Sequence, residues 1–178
     1  MQQHRTRLLT ACLLVVATTV LGAQGVTKES VPGVTNFARV ETTIACGGAT
    51  TPEAIAGLKK MGYASVINLR PASEPGANIE GAAAAARAAG INFVHLPFNA
   101  ASPDPDLVTN FLKAVTDPRN QPAFVHCASG NRAAALWMIK RMAIDKWDAD
   151  RAGSEAAALG LTNQALKTFA LNYVQAHQ

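Results

Sequence analysis

Short apolar runs alternate with longer segments of helical character along most of the chain. The short runs predict four strands, at residues 42–45, 64–69, 91–96 and 123–126. The longer segments predict six helices, at residues 51–62, 78–89, 102–115, 132–143, 148–159 and 162–176. Because strands that alternate with helices favour a parallel sheet, we expect an α/β fold: a single-domain sandwich with a mostly parallel central sheet flanked by helices.

The N-terminal residues have the pattern of a secretory signal. A basic segment at residues 4–7 precedes an uncharged, mostly apolar run at residues 8–21, and small residues follow up to Gly25. We therefore predict a signal peptide over residues 1–25 and one folded domain over residues 26–178. This predicts a periplasmic or secreted location in a bacterium, with no stable membrane anchor after the signal is removed.

Charge and cysteine content exclude several classes of protein. Of 16 Lys and Arg residues, Arg5 and Arg7 lie in the signal, which leaves 14 against 12 acidic residues and a net charge of +2. No basic run with interleaved aromatic residues points to nucleic acid. Without Cys12 of the signal, Cys46 and Cys127 remain, too few for a disulfide scaffold. No spacing of His, Asp and Glu calls for a metal, and no cofactor is predicted.

The segment at residues 126–132, HCASGNR, carries the strongest chemical signal in the chain. An apolar run leads into the His-Cys pair, Gly130 allows a tight turn, and Arg132 opens a helical segment. Such a turn aims backbone N–H groups and a helix N-terminus at one point, which holds an anion and makes Cys127 nucleophilic. The pattern predicts an anion-binding enzyme with a cysteine nucleophile rather than a buried, inert thiol.

This segment resembles the H-C-x-x-G-x-x-R loop of the protein tyrosine phosphatase superfamily, with one residue fewer between Gly130 and the arginine. The shorter loop is also the length found in rhodanese-type sulfurtransferases, so loop length leaves both chemistries open. Residues 64–70 with Glu74, and then residues 91–98, are similar to the strands and loops before the nucleophile of dual-specificity-like phosphatases. The chain is most similar to the bacterial phosphatase-like group with a Cys-x4-Arg loop, which also occurs fused to β-lactamase-like hydrolases.

The resemblance implies a role for each residue of the loop and its surroundings. Cys127 attacks phosphorus, and Arg132 holds two phosphoryl oxygens with its planar guanidinium. The substrate-binding residues are Ala128, Ser129, Gly130, Asn131 and Arg132. Three residues support the loop from behind: His126, Arg70 and Glu74. His126 is expected to fix the loop by hydrogen bonds to backbone, and Arg70 to hold Glu74 or to contact the substrate.

The general acid is assigned to Asp104, because the resembled families carry an Asp on the loop after the Leu-Pro strand. Asp106 and Glu74 remain alternatives, and helix N-capping is a competing role for both aspartates. Many of the resembled enzymes carry Ser or Thr after the arginine, where its hydroxyl helps to hydrolyse the phosphocysteine. This chain carries Ala133 there, which predicts slow turnover.

Taken together, these features predict an exported cysteine-dependent phosphatase of the protein tyrosine or dual-specificity type. It would act on a phosphorylated protein or a small phosphomonoester through a phosphocysteine, without metal or cofactor. A rhodanese-like sulfurtransferase with a persulfide on Cys127 stays open, and so does a phosphate-binding pseudophosphatase module. Whether Cys46 pairs with Cys127 also stays open.

Overall fold

The computed structural model describes residues 25–177, which form one six-stranded sheet and six α-helices. The strands are β1 (Thr27–Lys28), β2 (Ala38–Glu41), β3 (Ile44–Gly47), β4 (Ser65–Asn68), β5 (Asn92–His95) and β6 (Ala123–His126). The helices are α1 (Ala54–Lys60), α2 (Ile79–Ala89), α3 (Pro105–Thr116), α4 (Asn131–Ala143), α5 (Ala149–Ala158) and α6 (Gln164–Ala176). The predicted signal peptide lies outside the described residues, except for its last residue, Gly25.

The sheet is mixed but mostly parallel, in the order β1-β2-β3-β6-β4-β5. Strands β3, β6, β4 and β5 run parallel, whereas β1 and β2 join by antiparallel pairing. Strand β6 lies between β3 and β4, with His126 in register with Gly47 on one side and Asn68 on the other. The predicted fold class is confirmed, and the residues after β6 emerge at the carboxyl edge of the parallel strands, where ligands bind in such sheets.

The first predicted strand, residues 42–45, is wrong at its start. Thr42 and Thr43 form the turn between β2 and β3, and the strand before that turn was not predicted. The reason is local: β-branched threonines favour strands by propensity, and the turn contains neither Gly nor Asn to mark it. Seven of the other predicted elements lie within two residues of the observed bounds, and the starts of α1 and α3 fall three residues later than predicted.

Helices cover both faces of the sheet and divide the core in two. On one face, α4 is buried along most of its length against the sheet, α5 and α6. On the other face, α1 and α2 cover a smaller cluster that includes Phe37, Tyr63 and Phe124. The segment after β6 is thus fixed between a central strand and a buried helix. Among residues 25–177, no helix has the length and apolar character needed to cross a membrane.

Candidate active site

The loop between β6 and α4 places Cys127 between the end of a central strand and the start of a buried helix. Gly130 is the residue before α4 and has a φ of 98°, a left-handed conformation that favours glycine over other residues. This turn directs the Gly130 N–H at the Cys127 sulfur, with 3.1 Å between N and Sγ. The Cys127 side chain is fully buried, and its sulfur accepts a hydrogen bond from backbone, that of the Gly130 N–H.

Two further backbone donors follow the Gly130 N–H at the start of α4. The first N–H groups of a helix have no partner within the helix, and those of Asn131 and Arg132 open α4. They add the positive end of the helix dipole to the loop. The side chain of Asn131 is turned elsewhere, since its Oδ1 accepts the N–H groups of Thr162 and Asn163, both at 2.8 Å. Asn131 therefore contributes its backbone N–H to the start of α4, whereas its side-chain oxygen binds the segment before α6.

Two carbonyls of the loop accept hydrogen bonds from segments outside it. The Ala49 N–H donates to the Ala128 carbonyl at 2.7 Å, and the side-chain amide of Asn36 donates to the Ser129 carbonyl at 3.1 Å. Asn36 was not predicted as part of the site. No sequence signal could have marked it, because it contacts a loop 93 residues further along the chain.

Arg132 lies beside the loop with its guanidinium held in one orientation. Its Nη1 donates to the Phe98 carbonyl at 3.1 Å and its Nη2 to Glu74 Oε2 at 2.7 Å, and the side chain is only 12% exposed. A guanidinium has five N–H groups, so within the described part of the chain three remain for an oxyanion. A planar arginine that is already oriented is suited to hold two phosphoryl oxygens at once.

Glu74 joins the two arginines that the sequence assigned to this site. Its Oε1 accepts from Arg70 Nε at 2.9 Å, and its Oε2 accepts from Arg132. Arg70 directs its other nitrogens at the carbonyls of Pro75 and Gly76. Arg70 thus holds Glu74 and its own loop, the first of its two expected roles. Two guanidiniums share one carboxylate, which leaves a positive charge of about one unit to attract an anion.

A cleft of about 470 Å³ opens beside Arg132. It lies between Pro71, Ser73 and Glu74 on one side and residues 97–100 on the other. The walls come from the loops that follow β4 and β5. Because these strands run parallel to β6, the cleft lies at the same edge of the sheet as Cys127. A substrate whose phosphate occupies the loop could extend into this space.

Asp104 and Asp106 lie further along the loop after β5, and both are exposed. Asp104 caps α3, accepting the Asp106 N–H through Oδ1 at 2.9 Å, and Asp106 lies in the first turn of that helix. Neither residue lines the cleft beside Arg132. Glu74 offers no free oxygen as an acid, since both of its oxygens accept from arginine. The general acid therefore stays a prediction.

His126 lies buried at the end of β6, stacked on Phe124 with 5.7 Å between ring centroids. Burial lowers the pKa of His126 to about 4, although nearby backbone at Cys127 and Gly48 opposes the shift. The ring is therefore neutral at neutral pH. Its Nδ1 has no hydrogen-bond partner among the described residues, so the expected bond to the loop backbone is not made through that atom.

Cys46 lies on β3, next to the nucleophile strand. It pairs in register with Val125, two residues before Cys127, and packs in the same core cluster as Cys127. Both thiols are free and buried. Burial, and then the neighbouring Cys127, raises the pKa of Cys46 well above its usual range. Within residues 25–177, no cluster of three or more His, Cys, Asp or Glu side chains could hold a metal ion.

Solved structures with the same fold include several phosphatases. A DUF442 phosphatase from Shewanella putrefaciens CN-32 matches with a TM-score of 0.70 and 21% identity, over 82% of this chain and 94% of that one. TpbA from P. aeruginosa in complex with pTyr matches with a TM-score of 0.65 and 18% identity, over 87% and 91%. The PP-IP phosphatase SIW14 from S. cerevisiae matches with a TM-score of 0.65 and 20% identity, over 83% and 93%. At these identities the likeness shows a common fold.

The sequence itself matches one family. The phosphatase-like domain of beta-lactamase hydrolase-like proteins matches residues 36–144, which include both loops of the cleft, Cys127 and Arg132. No curated protein matches. The resemblance drawn from the sequence is confirmed: the chain belongs to the family of phosphatase-like domains of beta-lactamase hydrolase-like proteins, with the fold of the protein tyrosine phosphatase superfamily.

Proposed function

We propose that this chain is a cysteine-dependent phosphatase that hydrolyses phosphomonoesters through a phosphocysteine. The observation that carries the proposal is the hydrogen bond from the Gly130 N–H to the Cys127 sulfur, next to an Arg132 that Glu74 holds in place. A thiolate needs such donors to become a nucleophile, and a phosphoryl group in transfer needs donors and a fixed guanidinium for its equatorial oxygens. Membership of a phosphatase-like family supports the same chemistry.

The reaction divides into two displacements at phosphorus. In the first, the Cys127 thiolate forms an S–P bond, the P–O ester bond breaks, and the leaving oxygen takes a proton from the general acid, for which Asp104 is the candidate. In the second, water attacks phosphorus, the S–P bond breaks, and the acid residue recovers a proton from that water. The thiolate returns and inorganic phosphate leaves.

Two substitutions test the nucleophile and the guanidinium. Cys127→Ser should abolish hydrolysis of an aryl phosphate, because a serine hydroxyl does not ionise there. Arg132→Lys should lower kcat/KM about a hundredfold or more, since lysine cannot make two parallel contacts to the transition state. Arg119→Lys is the matched control, because Arg119 is exposed and its side chain hydrogen-bonds only to Asp117 among the described residues. Activity close to wild type in either site variant would remove the mechanism.

The candidate acid can be separated from its capping role by one choice of substitution. Asp104→Asn keeps an N-cap of equal quality but has no proton to donate. If Asp104 is the acid, this variant should lose far more activity on alkyl phosphates, which have poor leaving groups, than on activated aryl esters. An equal, small loss on both would restrict Asp104 to the cap, and Asp106→Asn would then test the alternative acid with the same two substrates.

The charge around the cleft bears on the class of substrate. Among the residues that line it, Arg132 is the only Lys or Arg. A polyphosphorylated ligand needs several cations, so we propose a substrate that carries one phosphate on an otherwise uncharged group, such as phosphotyrosine. Faster hydrolysis of a phosphotyrosine peptide than of an inositol pyrophosphate would support this proposal, and the reverse order would contradict it.

A second candidate, a pseudophosphatase that binds phosphate without turnover, draws on two observations. Asp104 caps a helix, and the residue after Arg132 is Ala133, which is buried and has no hydroxyl. Binding of inorganic phosphate or tungstate with no detectable hydrolysis would favour this candidate.

We also propose export through the predicted signal over residues 1–25. Fractionation of the producing bacterium, with N-terminal sequencing of the recovered protein, tests this proposal.

A further inference from the structure

Two segments outside the nucleophile loop hold its carbonyls from behind. The Ala49 N–H binds the Ala128 carbonyl and the Asn36 side-chain amide binds the Ser129 carbonyl. The two segments also bind each other, because the Thr35 N–H donates to Ala49 and the Gly48 N–H donates to Thr35. We call residues 35–36 and 48–49 the loop brace.

The direction of these carbonyls decides the direction of the N–H groups. In a trans peptide the C=O of one residue and the N–H of the next point opposite ways. An outward carbonyl at Ser129 therefore turns the Gly130 N–H inward, where it reaches the Cys127 sulfur at 3.1 Å. An outward carbonyl at Ala128 turns the Ser129 N–H inward in the same way. The orientation of the peptide between Ser129 and Gly130 depends on a side chain, because its carbonyl is bound by the Asn36 amide.

Local features explain how Asn36 can serve this role. Its φ is 51°, a left-handed conformation that Asn adopts more readily than most residues. The next residue, Phe37, is buried in the core, which fixes the backbone from which the amide projects. Ser129 itself is exposed, so without the amide its carbonyl could bind water in more than one orientation.

We propose that Asn36 is a positioning residue of the nucleophile loop, whose amide fixes the Ser129 peptide so that the Gly130 N–H faces the sulfur and the bound oxyanion. The expected effect of Asn36 on hydrolysis rests on the proposed function. Its expected effect on the reactivity of the Cys127 thiol does not. Asn36 contacts the loop backbone and not the reacting atoms, and it acts through that one peptide.

Two variants test the role. Asn36→Asp keeps the shape and the left-handed preference but places a carboxylate oxygen against the Ser129 carbonyl. Asn36→Gly keeps the backbone conformation and removes the amide, so one variant remains informative if the other fails to fold. Asn78→Asp is the matched control, because Asn78 also has a positive φ, of 38°, and caps α2 through an oxygen that Asp retains.

Three measurements report on the loop. In both Asn36 variants kcat/KM for an aryl phosphate should fall about tenfold, less than the loss from removing a donor outright. The pH midpoint for alkylation of Cys127 by iodoacetamide, read by mass spectrometry of its peptide, should rise. Tungstate should protect Cys127 from alkylation only at higher concentration. The Asn78→Asp control should match wild type in all three.

The outcomes separate the two proposals. Unchanged alkylation midpoints and tungstate protection in folded Asn36 variants would overturn the positioning role, whatever the hydrolysis rates. If the wild-type chain hydrolyses no phosphomonoester, the proposed function fails. The alkylation and tungstate measurements then still decide the role of Asn36.

Discussion

At the scale of single residues, the buried His126 links the stability of the protein to pH. Burial lowers its pKa from 6.5 to about 4, and the positive charges of Arg70 and Arg132 act in the same direction. The folded protein therefore resists protonation of this ring, whereas the unfolded chain accepts the proton near pH 6.5. The free energy of unfolding is therefore unaffected by His126 above pH 6.5. It decreases as the pH falls from 6.5 towards 4.

We expect the free energy of unfolding to fall by about 3 kcal/mol between pH 7 and pH 4 because of His126 alone. Urea unfolding across this range measures it. In His126→Gln the fall should be smaller by that amount, whereas the exposed His177→Gln should keep it. Asp145 lies outside this window, since its lowered pKa makes it titrate below its ordinary value of 3.8. Identical slopes in wild type and His126→Gln would contradict the assignment.

Residue identity allowed part of the site to be predicted. Cys127, Gly130 and Arg132 lie within six consecutive residues, so a local motif could reveal them. The pairing of Arg70 with Glu74 could also be predicted, because the two residues lie only four positions apart in the sequence. The contacts of Arg132 with Glu74 and of Asn36 with Ser129 span 58 and 93 residues. Such contacts depend on the strand order, which the local pattern does not specify.

At the scale of elements, the close approach of the β3 end to the nucleophile loop requires glycine at position 48. A Cβ there would lie 2.4 Å from Thr35 Oγ1 and 2.9 Å from the Ala128 carbonyl oxygen. Gly48→Ala should therefore push the loop and lower kcat/KM about tenfold or more, since small displacements of oxyanion donors are costly. Phosphatase assays on the folded variant measure this effect.

Gly57→Ala is the matched control for that substitution. Gly57 lies within α1, and a Cβ there meets nothing within 4 Å. This variant should keep full activity and gain about 0.5 to 1 kcal/mol of stability, because alanine favours a helix over glycine. Full activity in Gly48→Ala would show that the loop tolerates displacement at this point.

The elements themselves were predicted where the chain marks their ends. Gly90 closes α2 and Gly130 precedes α4, both with positive φ, and both boundaries were placed within one residue. The hairpin of β2 and β3 was missed because its turn contains two threonines, which resemble strand residues. Helix α3 starts three residues later than predicted because Asp104 caps it and Pro105 is its first residue.

At the scale of the whole molecule, the two ends of α4 serve different purposes. Its first turn carries the loop and Arg132, whereas its last turn carries Arg141, buried beneath Trp137 and Trp147. Arg141 binds Glu155 on α5, Asp145 after α4, and Glu41 at the end of β2. This charged cluster ties the helical layer to the antiparallel edge of the sheet, away from the nucleophile.

Glu155→Ala should separate stability from catalysis. It removes the partner of Arg141 Nε at 2.7 Å and the acceptor of the Trp137 indole N–H. We expect a loss of about 3 kcal/mol in urea unfolding, because a buried guanidinium loses its best partner, with kcat unchanged in the folded variant. The exposed Glu80→Ala should cost less than about 1 kcal/mol. A large loss of kcat in folded Glu155→Ala would mean that the far end of α4 affects the loop.

The central claim is that the Cys127 loop transfers phosphoryl groups rather than sulfur. The most direct measurement compares two activities of the purified full chain at matched substrate concentrations. One is hydrolysis of an aryl phosphate, and the other is sulfur transfer from thiosulfate to cyanide. Phosphate release should exceed sulfur transfer and should disappear in Cys127→Ser. Sulfur transfer faster than phosphate release would contradict the account and assign the shortened loop to a sulfurtransferase.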